Sequence, residues 1–262
     1  MIKPFFIQEL KRSVSNKYFF ISLILNTLLM IFPFIGNNYG SYIYESQSNP
    51  INVFLTPYIA TNAILPLFIM FTAPLAFASS YANEFNTNFP DLIYTRITKT
   101  KYHLIKYLLS GFSGLMAVLL PSLVLFFLTI IVNIKDIRPS ISGDSIITER
   151  AFSNIALNHP ILLCALVVLF TLISSWIFSI YGYLASLVIK KQWIAIVFPF
   201  SFFLVLGTFA ISFGIENYLS FINMIIFYFF PISEMAFFIK YLVHIVFQLL
   251  VLWILLRFKE DI

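Results

Sequence analysis

LIKYLLSGFSGLMAVLLPSLVLFFLTIIV, residues Leu104–Val132, runs for 29 positions with a single charge, Lys106. About 20 predominantly apolar residues are enough to cross the hydrocarbon core as a helix, so this stretch spans a membrane with length to spare. Gly111 and Gly114, near its start, are points where a second helix can approach closely, and Pro121 predicts a kink near its middle. The rest of the chain has the same character. Of its 262 residues 60% are hydrophobic and 10% charged, where a soluble domain is roughly a quarter charged. The expected class is all-α, a polytopic membrane protein forming one transmembrane domain over residues 1–262. No stretch between the apolar runs is long enough to bury the core of a separate catalytic domain.

Six spans are expected, at about 18–36, 58–78, 104–132, 161–189, 193–214 and 237–256. Tyr18–Gly36 is apolar apart from Ser22, Asn26 and Thr27. Asn37–Pro57 holds Gly, Asn, Ser and Pro with Glu45 and no Lys or Arg, the composition of an external loop. Within the second span Asn62, Pro66, Thr72 and Pro74 predict a kinked helix facing protein, because freed carbonyls need partners at membrane depth. Asn133–Pro160 is nearly charge-balanced and reads as external. Ile215–Glu234 is apolar only from Tyr218 to Ile232, too short to cross comfortably, and reads as a re-entrant or interfacial outer segment before the last span. Twelve of the Lys and Arg residues then fall inside, among them Arg96, Lys99, Lys101, Lys106, Lys190, Lys191, Arg257 and Lys259. Lys135, Arg138 and Arg150 fall outside, with Lys240 near the outer end of the last span. This asymmetry places both termini in the cytoplasm of a multi-pass plasma-membrane protein.

The amino-terminal segment before the first span sets Phe6, Ile7, Leu10 and Val14 at helical spacing, with Gln8, Glu9, Lys11, Arg12 and Ser15 on the other face. It is expected to lie along the cytoplasmic interface as an amphipathic helix, where basic side chains meet anionic lipid. With no small-residue cleavage site after it, it is expected to be retained.

The chemistry of enzymes is missing from the pattern. There is no GxxxxGK[ST] phosphate loop, no HExxH and no GxSxG. The one cysteine, Cys164, sits in an apolar run, and His103, His159 and His244 have no partner at ligand spacing. No catalytic, cofactor-binding or metal site is expected. The formal charge of +5 comes from residues flanking apolar runs, which suits anionic lipid and topology and excludes nucleic acid as the expected partner. The spans are nearly free of ionisable groups, which disfavours coupling to an ion gradient and points to an external energy source.

The segment SYANEFNTNFPDLIYTRITKTKYHLIKY, Ser80–Tyr107, resembles the cytoplasmic loop after the second span of bacterial type-2 ABC transporter permeases. Glu84, Leu92, Thr95, Arg96 and Lys106 match the acid, the leucine of a short helix, the Thr–Arg pair and the lysine opening the third span, while Asn86 and Thr87 stand where the family has glycine and threonine. The resemblance implies a permease subunit with an amino-terminal elbow helix and a coupling helix within Asn83–Lys99. Glu84, Phe85, Phe89, Asp91, Leu92, Thr95, Arg96 and Lys99 would then couple it to a separate cytoplasmic ATPase, and ATP and Mg would be bound by that partner. It implies pairing with a second copy or a related permease, and export of an amphipathic or hydrophobic substrate: an antimicrobial or other peptide, a lipid or a drug. The alternatives are an accessory membrane protein or immunity factor without transport activity, and an intramembrane enzyme.

Overall fold

The computed structural model describes residues 2–40, 50–59, 65–87, 89–132, 152, 155, 158–215 and 234–258. Among them the helices, in chain order, are α1 (Ile2–Ser15), α2 (Lys17–Gly40), α3 (Pro50–Ile59), α4 (Leu65–Phe77), α5 (Ser80–Phe85), α6 (Phe89–Tyr94), α7 (Lys99–Val132), α8 (Pro160–Val188), α9 (Gln192–Ser212) and α10 (Glu234–Phe258). Five segments are long and apolar enough to cross a membrane: Leu65–Phe85, Lys99–Ile131, Ile161–Val188, Gln192–Ser212 and Phe238–Arg257. A sixth arises if α1 and the first part of α2, bent by 46° between Ser15 and Lys17, count as one broken span. The described residues are all-helical, and their long apolar helices are those of a membrane protein. Residues 216–233, and nearly all of the 133–157 stretch, lie outside the described residues, and with them the expected re-entrant segment and external loop.

α4 is the central helix. Of the apolar 18-residue window within Leu65–Phe85 78% is buried, against half or less of the same window in each other candidate span, and α4 packs on α2, α7, α8 and α9. Its polar atoms are met by neighbours. Ser22 Oγ donates to the Thr72 carbonyl at 2.5 Å and Thr72 Oγ1 donates to Asn26 Oδ1 at 2.7 Å, while Asn26 Nδ2 reaches the Ala117 carbonyl on α7 at 3.0 Å. Hydrogen bonds of this kind hold membrane helices together, where apolar contact with a neighbour offers little over contact with lipid. The α7–α8 seam follows the same logic. Ser179 Oγ donates to the Ser110 carbonyl at 2.6 Å. A Cβ on Gly114 would stand 2.6 Å from the Ser179 Cβ and 3.2 Å from the Ala73 carbonyl oxygen, so a side chain there would separate α7 from both α8 and α4.

Two differences from the sequence expectation bear on the site. Residues 50–57, expected to lie in an external loop, belong to α3, whose Ile51, Phe54, Leu55 and Tyr58 are buried against the main core. Pro50 opens that helix, where a missing N–H costs nothing. α7 begins at Lys99, five residues before the expected span. Its 34 residues make about 51 Å of helix. That exceeds a hydrocarbon core of about 30 Å, so its first turns, with exposed Lys99 and Lys101, project beyond it.

Apolar side chains form one large core among α2, α3, α4, α7, α8 and α9, with Ala236 and Tyr241 of α10. A smaller core at one end joins Ala78, Tyr81, Tyr102, Tyr107, Tyr183, Leu184 and Leu252. Basic residues gather at that end, where Lys190 Nζ lies 3.5 Å from the centre of the Phe85 ring and Lys99 lies over Tyr94.

Candidate functional site

At the bend between α1 and α2, Asn16 serves both helices. Its Oδ1 accepts from Phe19 N–H at 2.9 Å, the bond of an N-cap to the third helical residue. Its Nδ2 donates to the carbonyls of Arg12 (3.2 Å) and Ser13 (3.1 Å) at the end of α1, and to that of Ala76 (3.0 Å), where α4 gives way to α5. One side chain therefore fixes the elbow angle and ties it to the central helix.

α1 turns three faces to three environments. Phe6, Ile7, Lys3 and Lys11 are exposed. Leu10 and Val14 are partly buried, Leu10 against Phe77, Ile105 and Leu109 and Val14 against Phe19, Ala76 and Ala117. The third face, Glu9, Arg12, Ser13 and Asn16 at helical spacing i, i+3, i+4, i+7, packs inward. Of the expected polar face, Glu9 and Arg12 turn to α7 and α5, while Gln8, Lys11 and Ser15 stay exposed.

What it meets is charge. Arg12 Nη1 lies 2.5 Å from Glu84 Oε1 on α5 and 3.2 Å from Glu9 Oε1. Lys106 Nζ on α7 lies 2.5 Å from the same Glu84 oxygen and pairs with Glu9 Oε2. Tyr102 donates its hydroxyl hydrogen to Glu84 Oε2. Lys106 is wholly buried, and the faces of the Phe77 and Tyr102 rings lie 5.0 and 5.7 Å from its ammonium. Two carboxylates and two cations cancel, which is the condition under which ions persist in a low-dielectric interior. The cluster joins α1, α5 and α7 through groups 22 and 97 residues apart in sequence.

Beyond it a second polar chain fastens α6. Tyr183 on α8 donates to the His103 carbonyl at 3.4 Å and its oxygen lies 2.9 Å from His103 Nδ1, while His103 Nε2 lies 3.2 Å from the Tyr94 hydroxyl. The consistent assignment is a neutral imidazole protonated on Nδ1, with Tyr94 donating to Nε2. Burial pushes the Tyr94 phenol up from its ordinary pKa, and Tyr81, Asp91 and Glu84 add to the effect, so it meets His103 as a neutral O–H. Thr87 closes α5, its Oγ1 donating to the Glu84 carbonyl at 2.9 Å.

The expected coupling residues divide. Glu84 is buried in the cluster, and Phe85 is half-buried under Lys190. Phe89, Asp91, Leu92, Thr95, Arg96 and Lys99 are exposed, Leu92 by 70%. Ile93 and Tyr94 anchor α6 on the smaller core, leaving the other face of that helix free. Between α1 and α6 runs a groove of about 630 Å³, lined by Pro4, Phe5, Gln8, Leu92, Thr95 and Arg96. Glu9 and Tyr102 were not singled out from sequence. The one available signal was the i, i+3, i+4, i+7 stripe of polar residues on α1, which looks the same whether it faces water or a charged partner.

Among the described residues no group of three His, Cys, Asp or Glu side chains could hold a metal ion. What the arrangement can do is mechanical: an exposed short helix is joined through a charge-balanced ionic cluster to α1 and to α7, the longest of the candidate spans. Comparison of the chain with protein-family models, with curated proteins and with solved structures returns no match.

Proposed function

We propose that the chain is the membrane-spanning permease subunit of an ATP-driven exporter, with α6 as the element on which a separate cytoplasmic ATPase docks. The observation that carries this reading is the division of residues 84–99. Glu84 is committed to internal pairing, whereas Leu92, Thr95 and Arg96 present an exposed apolar and basic surface. The basic end that bears α6 is the cytoplasmic one, by the excess of Lys and Arg there. A push on α6 reaches α7 through Tyr94–His103 and through α5, Glu84 and Lys106, and packed helices respond to such a push as rigid bodies. Two permease chains, alike or related, would enclose the path, and the cargo would be amphipathic or hydrophobic. ATP and Mg would sit on the motor.

The test is affinity purification of the tagged chain from its native membrane, followed by assay of ATP hydrolysis in the eluate. Leu92→Asp should remove the hydrolysing subunit while the permease still elutes as a folded species. Glu84→Gln, an internal change, should leave the subunit bound and reduce ATP-dependent transport. An eluate of wild-type chain with no ATP-hydrolysing partner refutes the reading.

A further inference from the structure

α10 carries a polar stripe through an otherwise apolar helix: Lys240, Tyr241, His244 and Gln248. Three of the four are bound to α8. The Tyr241 hydroxyl lies 3.0 Å from Ser174 Oγ, His244 Nδ1 lies 3.0 Å from the Tyr181 hydroxyl, and Gln248 Nε2 donates to the Ile177 carbonyl at 2.8 Å. Lys240 is different. It is fully buried, yet among the described residues its Nζ has no hydrogen-bond partner, and the Nε2 of His244, one turn further along the same face, has none either. The stripe points at α8 and α9, whose sequences contain no Asp or Glu, and the sole acid of α10 is Glu234 at its first position. Two nitrogens able to donate, one of them cationic, are thus enclosed without an acceptor among the described residues. A lone ammonium in such surroundings is costly enough that chains seldom carry one without a use.

We infer that Lys240 and His244 seat the anionic headgroup, carboxylate or phosphate, of an amphipathic molecule that enters from the membrane. The position fits such a ligand. Leu252, near the other end of α10, belongs to the core beside the charge cluster, so Lys240 lies toward the opposite side of the membrane, about 18 Å away along the helix. Beside the pair stands an aromatic wall: Phe203 packs on the His244 ring with centroids 5.1 Å apart, and Phe202 stacks on Phe247, which is exposed to lipid. A ligand with its charge at Lys240 can lay an aliphatic chain along that wall. α10 packs chiefly on α8, through the three contacts named, so a modest shift of one helix admits a headgroup. The inference rests on α8, α9 and α10 alone and holds whether or not a motor docks on α6.

The test uses the purified full chain in neutral maltoside micelles, with no ATP and no partner, titrated with oleate and with oleyl alcohol, its uncharged counterpart. Oleate should bind saturably. Lys240→Met should weaken it by about tenfold or more, the worth of one charge-assisted contact, while Lys240→Arg stays within a few-fold of wild type and oleyl alcohol is indifferent to both. Without ligand, Lys240→Met should raise the melting midpoint, because it removes a buried charge that has no partner. Adding phosphatidylglycerol tells the sources apart: competition with oleate assigns the seat to a bilayer phosphate, and its absence to a single-chain carboxylate. Oleate binding unchanged in Lys240→Met overturns the inference. So does a lowered midpoint in ligand-free Lys240→Met, which would mean that an acid of this chain already pairs with the lysine.

Discussion

Replacing Lys106 by Met keeps the length of the side chain and removes its charge. Glu9 and Glu84, both almost fully buried, are then left with Arg12 alone as counter-ion. Breaking a buried ion pair by deleting one partner costs about 3–5 kcal/mol, most of it from the uncompensated charge that stays behind. For a chain of this length each kcal/mol moves the melting midpoint by roughly 2–4 °C, so a fall of about 6–20 °C is expected. Arg12 occupies the same cluster, but its side chain is 40% exposed. Water screens its pairs, and Arg12→Met should cost only about 1 kcal/mol. Adding Glu84→Gln to Lys106→Met restores neutrality, and the double variant should melt above the single one, a non-additivity that independent sites do not show. Intrinsic-fluorescence melts of the variants in one detergent measure all three. A Lys106→Met protein that melts with wild type, or no lower than Arg12→Met, would refute the idea that the cluster is a buried, charge-balanced unit.

Asn16→Ala removes the cap of α2 and the bonds to the end of α1 and to Ala76, and should cost about 1–2 kcal/mol; hydrogen exchange should rise at the α1–α2 elbow and not in α8. Gly114→Val forces atoms into the Ser179 side chain and the Ala73 carbonyl, and should lower the melting midpoint by an amount corresponding to about 1–3 kcal/mol. Gly214→Ala tests a different property, since φ there is +67° and nothing lies within 4 Å of the added carbon; its cost, about 1 kcal/mol, comes from backbone strain alone. A melt in which Gly214→Ala is the more damaging of the two would contradict the packing described at the α4–α7–α8 junction.

Hydropathy was enough to find long apolar helices such as Ile161–Val188, but the expected second span, 58–78, begins in α3 and the candidate span there runs Leu65–Phe85. α3 was harder. Ile51, Phe54, Leu55 and Tyr58 follow helical spacing, yet Pro50, Asn52 and Pro57 read locally as a loop, and burial against α2, α7 and α8 overrode those turn signals. The site was legible in half. Leu92 and Arg96 stand exposed on a short helix, and their positions could be read from the segment itself. Glu84 could be singled out from its segment, but its inward turn could not, because its partners Arg12 and Lys106 lie 72 and 22 residues away. Periodicity records which residues share a face and carries no information about what that face meets. The same holds for Lys240, His244 and Gln248, which recur every four residues along an apolar helix.

The proposed function requires that a motor touch α6. The single cysteine, Cys164, is buried and can be replaced by serine, so that one new thiol can be placed at Leu92 or at Ile7, an exposed residue of α1. Native membranes carrying each variant are treated with a short thiol-to-amine cross-linker and then photolabelled with azido-ATP. Leu92→Cys should yield a cross-linked species that carries the nucleotide label, and Ile7→Cys should not. Labelled adducts at Ile7 alone, or at neither position, would contradict it.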